Sequence, residues 1–223
     1  MHFRSTRSAR GFSLIELLVV ILIISVLLTL GAVGLRGLGG KGVTSGISTA
    51  EAVFDEARAI AVGKGTKARV LVDINNPQDT ENYKRRMVVV YEKLNEQGEP
   101  QKDQWEMSSR PITLPDGTFF SSTFSKKNHE NGGDAVEEFN FQSESKQAFA
   151  GKYAFYEFNS EGISSAPGTS FVIGAGTRPQ GGEPKVTGAA KRDFAGFIVW
   201  RNGRTSLFRG PDEINIPSDV TTF

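Results

Sequence analysis

The 223-residue chain contains no cysteine. Disulfides, thiolate catalysis and Cys-ligated zinc are excluded, so an exported domain of this sequence must be held by packing alone or by a bound ion. Histidine is nearly as scarce, with only His2 and His129. No serine stands in a GxSxG nucleophile elbow, and no repeat of fixed period appears. Charge of one sign is also missing: 26 basic against 25 acidic residues give a formal +1. That balance hides an asymmetry, because Arg4, Arg7 and Arg10 all precede Gly11 and no acid does. Setting those three aside leaves 23 of the 26 basic residues against 25 acidic ones, a net of −2. The remainder therefore has no global charge pull towards nucleic acid. A composition of 38% hydrophobic and 23% charged residues is that of a water-soluble fold. The length allows one domain with a real core, or two small ones.

One long apolar run is present. From Phe12 to Leu30 the only charge is Glu16. As a helix this run covers roughly 28 Å, close to the hydrocarbon thickness of about 30 Å. The arginines before it predict a cytoplasmic amino terminus with the rest outside. A secretory signal has a shorter apolar stretch followed by small-residue cleavage chemistry. A plain anchor fits the length but leaves Glu16 unexplained, since an acid near a bilayer costs energy and usually signals function.

The string GFSLIELLVV, behind the short basic leader MHFRSTRSARG, resembles the type IV prepilin signature. The resemblance implies cleavage after Gly11 by prepilin peptidase and N-methylation of the new first residue, Phe12. It also implies an assembly role for Glu16 at the fifth mature position. There it would pair with the free amine of a neighbouring subunit and neutralise two charges otherwise stranded in lipid.

After Leu30 the stretch to Gly46 holds seven glycines in sixteen residues, and each costs about 1 kcal/mol in a helix relative to alanine. A weakened or broken helix, a flexible neck, is expected there. GLGGKG at Gly37–Gly42 imitates a nucleotide-binding loop, but a membrane span precedes it and the phosphate-loop spacing around Lys41 fails.

A second helix is expected from Ser48, where Glu51 completes a capping-box pattern. Ile47, Ala50, Val53, Phe54, Ala57, Ile60 and Ala61 recur at helical spacing, and Gly63 marks the end. From Lys67 the period becomes two. Expected strands are 68–73, 86–93, 105–109, 118–124, 138–141, 153–159, 170–174, 197–200 and 204–208. The last pair flanks Asn202-Gly203 as a tight hairpin. Lys126–Asp134 and Thr177–Lys191 are polar, glycine-bearing and expected to be mobile inserts.

The fold class that emerges is α+β, with an amino-terminal membrane-spanning helix, a Gly-rich neck and a pilin-like head in which the second helix packs on antiparallel β-sheet. The expected division is 1–11 leader, 12–35 membrane and filament-core helix, 36–46 neck and 47–223 head. EAVFDEARAIAVGKGTKARVLVD, with Ala57-Arg58, looks like the helix-to-strand segment of H-type minor pseudopilins, the GspH/FimT group. YEFNSEGISSAPGTSFVI and GFIVWRNGRTSLFR resemble that group's closing strands.

The resemblance implies a structural subunit, not an enzyme: a minor pseudopilin of a type II secretion pseudopilus. Its expected place is the bacterial inner membrane, single-pass, with the head on the extracytoplasmic side. Expected partners are prepilin peptidase, other pilin or pseudopilin subunits, the inner-membrane assembly platform and membrane lipid. The alternatives are a minor pilin of a type IV pilus, for twitching or DNA uptake, and a membrane-tethered binding or enzyme domain with an uncut anchor. No cofactor is expected. His129 reads as a solvated loop residue. Glu130 with Asp134, and Asp212 with Glu213, only loosely suggest calcium, because neither follows the alternating oxygen spacing of a dedicated loop. Nucleic acid is a minor alternative, through Arg201, Arg204 and Arg209 with Trp200 and Phe208 to stack. The competing reading is the solvated face of a hairpin.

Overall fold

The computed structural model describes residues 14–15, 17–25, 39–130, 133–142, 146–179, 182–188, 193–217 and 219–223. The chain divides into two units, Met1–Leu38 and Gly39–Phe223. In the first, the described residues from Leu14 to Ser25 are helical. Their apolar side chains are exposed, from 43% at Val20 to 82% at Leu14. Ser25 Oγ donates to the Ile21 carbonyl at 2.8 Å, four residues back, as helical geometry requires. Among the described residues no helix is long and apolar enough to cross a membrane, and much of the expected 12–35 span lies outside them.

In the second unit, the apolar stripe of Ile47, Ala50, Val53, Phe54, Ala57 and Ala61 is fully buried along one face of helix α1, Gly39–Lys64. The helix starts earlier than the glycines suggested, so 39–46 of the expected neck is helical; 31–38 lies outside the described residues. The reason is close packing. A Cβ on Gly46 would sit 2.8 Å from Ile173 Cδ1, and one on Gly42 would sit 3.2 Å from Thr118 Oγ1. Glycine here lets the helix approach the sheet. Ser48 is consequently a mid-helix residue whose Oγ donates to the Thr44 carbonyl, and it caps nothing. The helix runs past Gly63 to Lys64, and the glycine that ends it is Gly65 at φ +66.

The strands are β1 Ala68–Asp73, β2 Arg86–Leu94, β3 Pro100–Met107, β4 Ile112–Thr113, β5 Thr118–Phe120, β6 Glu138–Phe141, β7 Gly151–Phe158, β8 Thr169–Ala175, β9 Phe194–Val199 and β10 Thr205–Phe208. All pairings are antiparallel, and they divide into two sheets. The larger runs β3-β2-β1-β7-β6 with β4 beside β2; the smaller runs β10-β9-β8-β5. Helix α1 packs against both. Phe54 at its centre meets Tyr156 and Phe158 of one sheet and Phe171 and Phe197 of the other, with ring centroids 4.8–6.3 Å apart.

Period-two alternation gives each sheet a second buried face. On the larger sheet, Leu71, Val88, Val90, Trp105, Met107, Phe141 and Tyr153 cluster away from the helix. On the smaller, Phe119, Val172, Phe194 and Phe208 are covered by Val186, Ile216, Val220 and Phe223. Two expected loops are tied down for this reason. Thr177 pairs with Lys185 and Lys185 with Thr222, while Arg178 donates to the carbonyls of Gly182, Asp79 and Pro77. Lys126 pairs with Ala135, and the His129 ring stacks on Phe208 at 6.2 Å.

Candidate functional site

Gly11, Phe12 and Glu16 lie outside the described residues, so the candidate processing site is known as sequence and the geometry available is that of the head. There the last hairpin is fixed from behind by α1. Arg58 Nε donates to the Gly162 carbonyl at 3.3 Å, between the Asn159–Gly162 turn and the turn at 200–204. Gly203, at φ +73, lies so close that a Cβ would be 2.3 Å from the Gly162 carbonyl oxygen. The turn itself closes with Gly203 N–H on the Trp200 carbonyl and Trp200 N–H on the Arg204 carbonyl, both 2.9 Å. Asn202 Oδ1 accepts from the Arg204 N–H.

This frame presents Arg201, Arg204 and Arg209 to solvent. None of the three joins an ion pair among the described residues. The expected aromatic partners are not both available. Trp200 is 40% exposed, with Nε1 donating to Ser206 Oγ at 2.7 Å, but Phe208 is buried under the carboxy-terminal segment. Phe208 shares a strand face with Ser206, which is the covered face of the smaller sheet, and so cannot stack on a base.

A charged cluster that local sequence does not betray lies on the outer face of the larger sheet. Arg69 on β1 and Glu157 on β7 are register partners, with Nη2 2.6 Å from Oε2. The guanidinium also lies 4.1–4.6 Å from the ring centroids of Trp105, Phe139 and Phe155. Ser165 Oγ donates to the second Glu157 oxygen at 2.9 Å. Beside this pair opens a cleft of about 210 Å³, lined by Lys127, Glu137, Phe155, Ser164 and Thr169 among others. Nearby, Arg86 pairs with Asp73 and touches the Tyr153 hydroxyl. Alternating strands ordinarily hide such pairs as a solvent face; the clue was that Leu71, Tyr153 and Phe155, at the intervening same-parity positions, are apolar.

Titration follows burial and hydrogen bonding. Burial, then the Glu183 carboxylate that accepts its proton at 2.6 Å, pushes the Tyr83 phenol up. Burial alone pushes the Asp193 carboxyl up. Burial also opposes ionisation of Asp79, but hydrogen bonds from Asn82 and the Glu81 N–H outweigh it and hold that carboxyl below its ordinary value. Among the described residues no three His, Asp or Glu side chains converge to hold a metal. Glu213 instead accepts the Gly210 N–H at 3.0 Å.

Residues 6–32 match the family described as the prokaryotic N-terminal methylation motif. The stretch includes Gly11, Phe12 and Glu16, and the amino terminus is type IV prepilin-like. No curated protein matches the chain. Among solved structures it is similar to the minor pseudopilin EpsH of the Vibrio cholerae type 2 secretion system, at 11% identity, covering 75% of this chain and 96% of that one, TM-score 0.36. It is also similar to the Pseudomonas aeruginosa type IV minor pilin FimU, at 13% identity, covering 80% of this chain and 91% of that one, TM-score 0.34. Overlap this loose carries no functional weight, which falls on the amino-terminal motif.

Proposed function

We propose that the chain is a structural subunit, a minor pseudopilin of a type II secretion pseudopilus, without catalysis of its own. The observation that carries this reading is the methylation motif over residues 6–32, with a glycine, a phenylalanine and a lone acid at the spacing the processing chemistry needs. Gly11 offers a peptidase subsite no side chain, and Phe12 becomes the methylated first residue. The apolar helix holds the subunit in the inner membrane until assembly and then packs among its copies. Glu16, costly in lipid when alone, is neutralised by the amine of a neighbour and so sets the register. The head supplies an outward surface.

The test is amino-terminal mass spectrometry of the protein from its own membrane, beside Gly11→Ala. The expected result is a chain starting at N-methylated Phe12, with the precursor accumulating in the variant. An intact Met1 in functional cells, or a cut near Gly31, would overturn the reading. Deletion then separates the machines: blocked protein secretion supports the pseudopilus, and lost twitching or DNA uptake assigns a type IV pilus instead.

A further inference from the structure

Every open sheet has edges, and an exposed edge is a template for another strand unless something blunts it. Three of the four edges here are blunted. Strand β3 carries Pro100, a left-handed Asp103 at φ +64, and a register shift opposite Glu92 and Leu94. Strand β6 has four residues, with Glu138 ion-paired to Lys152. Strand β5 has three residues, all buried.

Strand β10 is as short as β6 but has none of the other devices. Among the described residues Thr205–Phe208 pairs with β9 on one side only, in unbroken register, and it contains no proline, no charge and no left-handed residue. The parity of its hydrogen bonds follows from the Trp200 N–H on the Arg204 carbonyl. In an antiparallel ladder the bonded pairs alternate, so Ser206 and Phe208 face β9 while the N–H and C=O of Thr205 and Leu207 face outward. Leu207 is 45% exposed beside them. Arg204 precedes this strand and Arg209 follows it, both exposed and without an ion pair among the described residues.

We infer that β10 is a strand-addition site for an extended acidic segment of a partner protein, with carboxylates at both ends of a short apolar stretch. Backbone pairing to Thr205 and Leu207 supplies the docking, an apolar side chain covers Leu207, and Arg204 and Arg209 select the charge. A polyanion such as DNA would use the arginines but has no use for outward backbone donors and acceptors, and the buried Phe208 offers it no stacking surface. The inference is independent of the filament reading, because it concerns only the head's edge.

The test uses the full chain in detergent micelles and a fluorescein-labelled peptide, DETVTVDE, with KKTVTVKK and a double-stranded oligonucleotide as comparison probes. Saturable binding of the acidic peptide is expected by fluorescence anisotropy, weakened about tenfold or more by Arg204→Glu with Arg209→Glu. Leu207→Pro, which removes an outward N–H at an edge that tolerates proline, should abolish binding, while Leu207→Thr keeps it within a few-fold. Should Leu207→Pro fail to fold, hydrogen exchange on the wild type decides: the peptide should slow the Thr205 and Leu207 amides selectively. Absence of saturable binding, equal binding of the basic peptide, or unchanged exchange at those two amides overturns the inference. Oligonucleotide binding that needs the arginines but survives Leu207→Pro overturns it in favour of nucleic acid.

Discussion

Trp105 and Phe139 stand on opposite edge strands of the larger sheet, yet their ring centroids are 5.8 Å apart. Four ladder steps in a flat sheet would separate those strands by about 19 Å. The sheet is therefore strongly curled, and Arg69, on its middle strand, lies beneath the rings that meet across the curl. A cation packed against three aromatic rings and paired to a carboxylate thus fills the space that curvature encloses. Removing it should leave Glu157, whose side chain is 11% exposed, with only the distant Lys67 Nζ at 3.9 Å and the Ser165 hydroxyl to offset its charge. Arg69→Ala is expected to destabilise the head by about 3 kcal/mol in urea unfolding. Arg69→Lys should recover only part of that loss, because an ammonium lacks the planar fork that stacks and pairs at once. Full recovery by lysine would mean that charge alone holds the cluster.

A second prediction concerns the seam between turns. Gly203 and Gly65 both have positive φ, +73 and +66, but only Gly203 has a backbone oxygen 2.3 Å from where its Cβ would be. Gly65→Ala should cost only the backbone strain, about 1 kcal/mol. Gly203→Ala should cost about 2 kcal/mol or more, because the carbonyl of Gly162 is held by Arg58 and has nowhere to retreat. Equal losses in denaturant titration would show that the two turns separate without penalty.

The pH dependence of stability should carry opposite signatures from two aspartates. Burial raises the Asp193 carboxyl in the fold above its ordinary value of about 3.9. Its penalty is absent below about pH 4 and grows as pH rises through the raised value. Asp193→Asn should therefore raise the melting temperature at neutral pH and change nothing in strong acid. Asp79 is held low, so its contribution is present above about pH 4 and lost as pH falls through the lowered value. Asp79→Asn should lower the melting temperature at neutral pH. Thermal scans of both variants from pH 3 to pH 8 check the signs; parallel curves would contradict both assignments.

What was legible in the sequence is what local chemistry decides. The stripe from Ile47 to Ala61 gave α1's buried face because one helix side repeats every three to four residues. Asn202-Gly203 marked its hairpin because the turn needs glycine at Gly203. The prepilin-like motif was readable because its residues lie side by side in the chain. Strand β3 was underestimated because Gln101, Lys102, Asp103 and Gln104 belong to an exposed edge, where polar residues are the protective choice. The apolar neighbours Leu71 and Phe155 hint that Arg69 and Glu157 lie on a covered face, but their pairing is not readable locally because the partners are 88 residues apart. Phe208 is buried although the sequence offers it as a stacking surface, because parity alone does not reveal that the carboxy-terminal segment covers that face.

The glycines at the start of α1 are helical for a reason that can be tested. Read as helix breakers, they should all behave alike, and replacing any one with alanine should stabilise the helix by up to about 1 kcal/mol. Packing separates them. Gly63, in the last turn at the other end of α1, has nothing within 4 Å of where a Cβ would stand, so Gly63→Ala should give that gain. Gly46 faces Ile173 Cδ1 at 2.8 Å and Thr118 Cγ2 at 3.3 Å, and Ile173 is fully buried among core aromatics. An added methyl there must push a side chain that has no room to turn, a strain of about 1–3 kcal/mol that exceeds the propensity gain. Gly46→Ala should therefore destabilise the head while Gly63→Ala stabilises it, measured side by side in urea. Stabilisation by both would return Gly46 to the role of a helix breaker and remove close approach as the reason for glycine in the first turns of α1.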